Sequence, residues 1–287
     1  MMRALVLSGG AVHGAYQVGV LQYLINDLGL QYDVLCGVSV GALNCAFLSL
    51  YPKEQEKQGL SNLVNIWDNI DNSKVYKSWF PFGVVHGLWL DSIYNSQPLI
   101  DMVHSSIDLN KIRQNGRMVT AGAVNMNTGD YRVFTPKDDN FADGVLASSS
   151  YPMGLCPIVI DGDKYTDGGV KHTVPLQEAI DAGVTDIDVV VCGPPQTSAS
   201  FEDVDVVTFG IRCFDFMTDQ MAQSDLKVAQ LYNQLVDAGL VTNKKHLNIK
   251  IIRPTKDLQL NPLSFDNTTI KNLIAQGYLE AKQQFTL

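Results

Sequence analysis

The sequence predicts an α/β protein built from parallel βαβ units, and three observations carry that expectation. Arg3–Leu7, apolar from Ala4 onward, and Val34–Val38 are short apolar runs, the pattern of strands buried on both faces. Each runs into glycines and then into apolar residues at helical spacing. Strand, helix, strand and helix in succession imply right-handed crossovers between parallel neighbours.

The elements follow in order. From about Gly14, Val18, Leu21, Leu24, Ile25 and Leu28 mark a helix, and Gly29 stops it. After the second strand, Ser39 leads into a short helix carrying Ala42, Leu43, Ala46, Phe47 and Leu50. Glu54 to Asn69 repeats the helical pattern with Leu60, Leu63, Val64 and Trp67. Tyr76 to Trp89 breaks it, crowding Trp79, Phe80, Phe82, Val84, Val85, Leu88 and Trp89 among Pro81, Gly83 and Gly87. That stretch reads either as an irregular segment packed on the body or as a lipid-facing flap. Pro98–Ser106 reads as a helix capped by Ser96. Arg117–Met126 and Tyr131–Phe134 form one hairpin, with a turn at Asn127-Thr128-Gly129-Asp130. After a short helix at Phe141–Ser148, Ile158–Ile160 and Lys164–Thr166 form a second hairpin, ending in Asp167-Gly168-Gly169. Asp188–Cys192 and Val204–Ile211 are expected as strands, and Met217–Leu240 as a long helix. Leu247–Arg253 is a last strand and Asn267–Gln284 a closing helix.

Composition narrows the class. The chain has 287 residues, 46% of them hydrophobic and 18% charged, with no linker, repeat or low-complexity tract, so one domain over 1–287 is expected. With 21 Lys and Arg against 30 Asp and Glu, the net charge is −9, which disfavours nucleic acid and electrostatic docking to anionic lipid. Cys36, Cys45, Cys156, Cys192 and Cys213 are scattered without metal-ligand spacing and read as reduced thiols. No signal peptide and no membrane-spanning run stand out, so a cytoplasmic location is expected, with signal-independent export left open.

The chemistry-bearing motif is Gly37-Val38-Ser39-Val40-Gly41, a Gly-x-Ser-x-Gly between an apolar strand and a helix. In such a turn the serine is held at a sharp bend and can act as a nucleophile; the bland alternative is a tight turn with a capping serine. In the α/β-hydrolase arrangement several strands precede the nucleophile, whereas here a single strand precedes the serine strand. Gly9 and Gly10 end that first strand, where free amides at a helix start favour an anion. Two residues compete as base: Asp167, in a glycine-flanked turn, and His172, whose imidazole suits proton transfer near neutral pH. His86, His104 and His246 are equally free on sequence alone. The Asp161-x-Asp163-x-x-x-Asp167 run fits a calcium loop poorly, since Tyr165 and Thr166 stand where an oxygen ligand and a glycine belong. A nucleotide loop at Ser8–Gly14 lacks both Gly-Lys-Ser/Thr and an acidic residue closing the second strand.

Three blocks together resemble the patatin-like phospholipase family: Ser8-Gly9-Gly10-Ala11-Val12-His13-Gly14-Ala15-Tyr16, Gly37-Val38-Ser39-Val40-Gly41 and Asp167-Gly168-Gly169. Ala147-Ser148-Ser149-Ser150-Tyr151-Pro152 is also similar to that family. The resemblance implies a three-layer α/β/α fold around a mostly parallel central sheet. It implies a lipid acyl hydrolase of phospholipase A or lysophospholipase type, a serine esterase acting on phospholipid or another acyl-ester lipid without metal or cofactor. Ser39 becomes the nucleophile, Asp167 the base in place of His172, and the amides of Gly9, Gly10 and Ala11 the oxyanion hole. The Trp79–Trp89 stretch becomes a candidate for transient membrane-surface contact. Two positions depart from the family pattern: Ala11 replaces a glycine, and His13 stands where arginine or lysine is usual. They motivate a non-catalytic acyl-chain binder of the same fold as an alternative, and acyl transfer to another alcohol is a third reading.

Overall fold

The computed structural model describes residues 2–195, 206–241, 245–258 and 261–286. In chain order the elements are β1 (Arg3–Leu7), α1 (Gly14–Leu21), β2 (Val34–Val38), α2 (Val40–Ser49), α3 (Glu56–Asn69), α4 (Asn72–Val75), α5 (Gly83–Gly87), α6 (Gln97–Ser106) and α7 (Leu109–Asn115). There follow β3 (Met118–Asn125), β4 (Tyr131–Phe134), α8 (Phe141–Ser148), β5 (Ile158–Ile160), β6 (Asp163–Asp167), α9 (Leu176–Asp181), β7 (Asp186–Val190), α10 (Val206–Asp237), β8 (Asn248–Ile252) and α11 (Asn267–Thr286). The strands of the described residues form one sheet in the order β5-β6-β3-β2-β1-β7-β8, with β4 also paired to β3. The centre, from β3 through β2, β1 and β7 to β8, is parallel, and the hairpins supply the antiparallel members.

The apolar runs are continuous because both sheet faces are covered. Leu5, Leu7, Leu35, Val119 and Ala121 face one core with residues of α1, α2, α3, α8 and α11. Ala4, Val6, Val34, Cys36, Ile187 and Val189 face the other, against α9 and the middle of α10. This is the expected α/β/α layering. On the first face α1 and α11 cross closely: a Cβ on Gly19 would lie 1.9 Å from the Ile274 carbonyl oxygen, and one on Gly277 2.1 Å from that of Tyr16.

Several expectations change. The strand expected at Val204–Ile211 is, from Val206 onward, the start of α10; 204 and 205 lie outside the described residues. Its β-branched run carries strand propensity, but between β7 and β8 the chain instead forms the helix whose middle covers the second sheet face. The first helix narrows to α1 and continues from Gln22 to Asp27 as a wider π-helical turn. The Tyr76–Trp89 stretch contains the short helix α5. Ser96 does stand at the N-cap of α6, but its hydroxyl accepts the Cys156 N–H and makes no capping bond. All five cysteines are free.

Candidate active site

β2 ends at Val38 and α2 begins at Val40, so Ser39 alone makes the turn. It does so at φ 58° and ψ −130°. A non-glycine residue in such a conformation stores of order 1–3 kcal/mol and persists only where its surroundings fix it. The flanking glycines are steric necessities. A Cβ on Gly37 would lie 2.4 Å from the Gly41 carbonyl carbon, and one on Gly41 2.3 Å from the Leu7 carbonyl oxygen.

β3 brings Asp167 to this serine. Gly122 of β3 pairs with Val38 and with Val133, and Ala123 pairs with Asp167 and with Arg132. Because β4 runs along one edge through both positions, β2 and β6 meet end to end on the other. The residue before Ser39 and Asp167 therefore sit opposite successive residues of one strand. Both side chains are nearly closed to solvent, with Ser39 5% and Asp167 3% exposed. Burial raises the Asp167 carboxyl to about 7, against the opposing pull of hydrogen bonds from the Ser39 side chain and the Gly169 N–H. The Gly169 N–H donates to Oδ1 at 2.7 Å. A carboxyl poised near neutrality beside a hydroxyl can take its proton at physiological pH.

The glycine loop lies on the other side of Ser39: a Cβ on Gly9 would stand 3.2 Å from that of Ser39. The three amides expected to act together are not equivalent. The Gly9 N–H donates to the Thr173 carbonyl at 3.1 Å, whereas those of Gly10 and Ala11 have no acceptor among the described residues. The free donors are thus Gly10 and Ala11, and Gly9 anchors the loop. Ala11 adopts φ 47°, the left-handed conformation that an L-residue resists by ~1–2 kcal/mol. His13, at the other departure, has Nε2 buried without a partner among the described residues, and desolvation lowers its pKa to about 4. It is neutral at pH 7 and brings no charge to the loop.

An open cavity extends from Ala11 and Ser39 between α2, α3 and α6. Val40, Leu43, Phe47, Ile66, Trp67 and Leu99 give it apolar walls. A buried polar chain ties its wall to the loop. The Trp67 indole donates to Asn44, Asn44 to Gln17 at 2.9 Å, and Gln17 to the Ser8 carbonyl at 2.8 Å.

The rival base lies elsewhere: His172 Nδ1 is 3.2 Å from Asp225, and its ring meets Tyr131 edge-on. The acidic run is dispersed too. Asp163 accepts from Asn125 and Asn127, Asp161 pairs with Arg132, and Asp167 faces inward. Among the described residues no three His, Cys, Asp or Glu side chains cluster as metal ligands. Among the described residues no helix is long and apolar enough to cross a membrane.

The sequence assigned no role to Gln17, Asn44 or Thr173, and marked Ser148 and Ser149 at the end of α8 only as part of a family-like block. Ser148 Oγ accepts the Ser39 N–H at 2.9 Å, and the Ser149 hydroxyl donates to the Ser39 carbonyl at 3.1 Å. Two signals were available: the similarity of Ala147–Pro152 to the family, and three consecutive serines closing an apolar helix, an unusual run at a position destined for burial.

A family model described as patatin-like phospholipase matches residues 5–180, which include the glycine loop, Ser39 and Asp167. An uncharacterized protein of Acanthamoeba polyphaga mimivirus is 23% identical over 301 residues, covering 99% of this chain and 93% of its own length. The uncharacterized protein YjjU of Escherichia coli is 25% identical over 67% of this chain and 52% of its own. Triacylglycerol lipase 5 of Saccharomyces cerevisiae is 31% identical over 36% of this chain and 14% of its own. Among solved structures, VipD from Legionella pneumophila superposes with a TM-score of 0.52 over 99% of this chain and 67% of its own, at 13% identity. That last likeness speaks to the fold.

Proposed function

The chain belongs to the patatin-like phospholipase family, and from that premise we propose that it hydrolyses acyl esters of lipids with a Ser39–Asp167 dyad. The observation that carries the reading is the seating of Ser39, which lines an apolar cavity, beside Asp167.

In the proposed reaction the acyl chain lies in the cavity and the ester carbonyl meets Ser39. Ser39 Oγ attacks the carbonyl carbon as its proton passes to Asp167. The negative oxygen is received by the Gly10 and Ala11 N–H groups. Each such donor is worth roughly 3 kcal/mol in sites of this kind. Collapse of the intermediate breaks the ester C–O bond, and Asp167 returns the proton to the departing alcohol. Water then attacks the acyl-enzyme with Asp167 again as base, releasing the fatty acid and restoring Ser39. Asp167 serves without a histidine because burial, the first cause of its shift, brings its proton affinity near that of an imidazole. Ser39→Ala should abolish hydrolysis of a short-chain acyl ester, whereas His172→Ala should retain it within ~threefold. Wild-type activity in Ser39→Ala refutes the dyad, and loss in His172→Ala points to a triad.

The same reading gives residues 78–90 a membrane role. They contain no Asp, Glu, Lys or Arg, and Phe80, Phe82 and Trp89 are 90%, 72% and 86% exposed. An uncharged apolar patch on an acidic chain suits a neutral lipid surface. Just after the segment, the Ile93 and Tyr94 N–H groups donate to the Met153 and Gly154 carbonyls, between the cavity-lining residues Tyr151 and Leu155. Zwitterionic vesicles should blue-shift the tryptophan fluorescence of the wild type and much less that of Trp89→Ala. An unchanged spectrum would mean that the patch does not enter lipid.

A further inference from the structure

We infer that Ser148 is a positioning residue, holding the Ser39 peptide in its turn so that Oγ stays beside Asp167. The inference rests on the reading of Ser39 as nucleophile. β2 pairs with β3 as far as Gly122, and from Ala123 the same edge belongs to β6. The Ser39 N–H thus falls at the junction of two strands and has no ladder acceptor. Buried amides do not stay unpaired, and the acceptor here is Ser148 Oγ at 2.9 Å, on a wholly buried side chain. Two residues on, the Ser150 carbonyl accepts the Asp167 N–H at 3.2 Å and the Thr166 hydroxyl at 3.0 Å. The end of α8 and the two residues after it therefore grip the main chain of both partners.

Ser149 supplies the contrast. Its hydroxyl donates to the Ser39 carbonyl at 3.1 Å and the Val145 carbonyl at 2.9 Å. The Ser39 carbonyl also accepts the N–H groups of Ala42 and Leu43, at 2.9 and 3.3 Å. Removing the Ser149 hydroxyl leaves that carbonyl satisfied. Removing the Ser148 hydroxyl leaves the Ser39 N–H without an acceptor among the described residues, and rotation of the 38–39 peptide is its way to find one. That rotation relaxes φ from +58° and withdraws Oγ from Asp167. Displacements of about 1 Å at a reacting atom cost on the order of 100-fold in rate.

The test follows covalent labelling by a fluorophosphonate, with rate and final amplitude recorded separately, beside kcat and KM on a short-chain ester. Wild type, Ser148→Ala, Ser148→Thr and Ser149→Ala are compared. Ser148→Ala should label to full amplitude but ~10- to 100-fold more slowly, with kcat reduced by the same factor and KM within ~twofold. Ser149→Ala should stay within ~threefold of wild type, and Ser148→Thr, which keeps an acceptor oxygen, should recover most of the rate. Equal losses in Ser148→Ala and Ser149→Ala, or a Ser148→Ala loss carried by amplitude and not by rate, would make the serines structural and overturn the proposal. A wild type that labels at Ser39 while Ser148→Ala labels equally fast overturns this proposal alone. A wild type that does not label at Ser39 removes the nucleophile reading beneath it.

Discussion

Asp167→Asn should make the protein more stable at pH 8 while removing its proposed base. Burial raises this carboxyl from 3.8 to about 7 despite the hydrogen bonds from Ser39 and Gly169. A carboxyl with a folded-state pKa above its unfolded value binds its proton more tightly in the folded state. Its favourable contribution is complete below pH ~4 and is lost as the pH rises through about 7, above which the fold carries a buried charge. The interval is about three units, and at ~1.36 kcal/mol per unit the ionised carboxylate costs the fold about 4 kcal/mol at pH 8. Asparagine keeps an acceptor for the Gly169 N–H and carries no charge. Urea unfolding of both proteins at pH 5 and pH 8 isolates the effect, because other titrating groups cancel in the difference. The advantage of the variant should grow by roughly 3 kcal/mol between the two pH values. An advantage that does not change with pH, or a variant less stable at pH 8, would refute the claim that Asp167 is a desolvated carboxyl poised near neutrality.

Other substitutions test the loop, the cavity and the core. Ala11→Gly should raise stability by up to ~1 kcal/mol in a thermal melt, because glycine adopts φ 47° without strain, and should keep the amide donor and hence kcat. Leu43→Trp should fill the cavity next to Ser39, raising KM for long-chain esters by ~10-fold or more with little effect on acetate esters. Arg117→Met should cost ~3–5 kcal/mol in urea unfolding, because it leaves the Glu56 carboxylate buried without the guanidinium now 2.8 Å away.

The sequence made the centre of this fold legible because its strands are covered on both faces. Ala4–Leu7 and Val34–Val38 are therefore apolar throughout, and the glycines at 37 and 41 mark positions that admit no side chain. The second hairpin was equally readable, from Ile158–Ile160 and the turn after it. That β6 would join the far end of β2's edge on β3 was not readable, because register along a shared edge leaves no periodic trace. Positions 11 and 13 were legible as departures, but the φ of Ala11 depends on how the loop passes Thr173 and Cys192. The inequivalence of Gly9, Gly10 and Ala11 has the same origin, since the Thr173 carbonyl that occupies the Gly9 amide comes from a segment far along the chain. Val206–Ile211 misled because β-branched residues favour strands locally, whereas the segment opens the long helix whose middle packs on the second sheet face.

The account stands most directly on the chemistry of Ser39 and Asp167. Wild type, Ser39→Ala and Asp167→Asn incubated with a radiolabelled phospholipid at pH 8, with free fatty acid and protein-bound acyl groups counted, test both residues at once. The account predicts fatty acid release by the wild type, with an acyl group trapped on Ser39 by rapid acid quench, and neither product from either variant. Release of fatty acid by Ser39→Ala, or acylation of a residue other than Ser39 in the wild type, would contradict it.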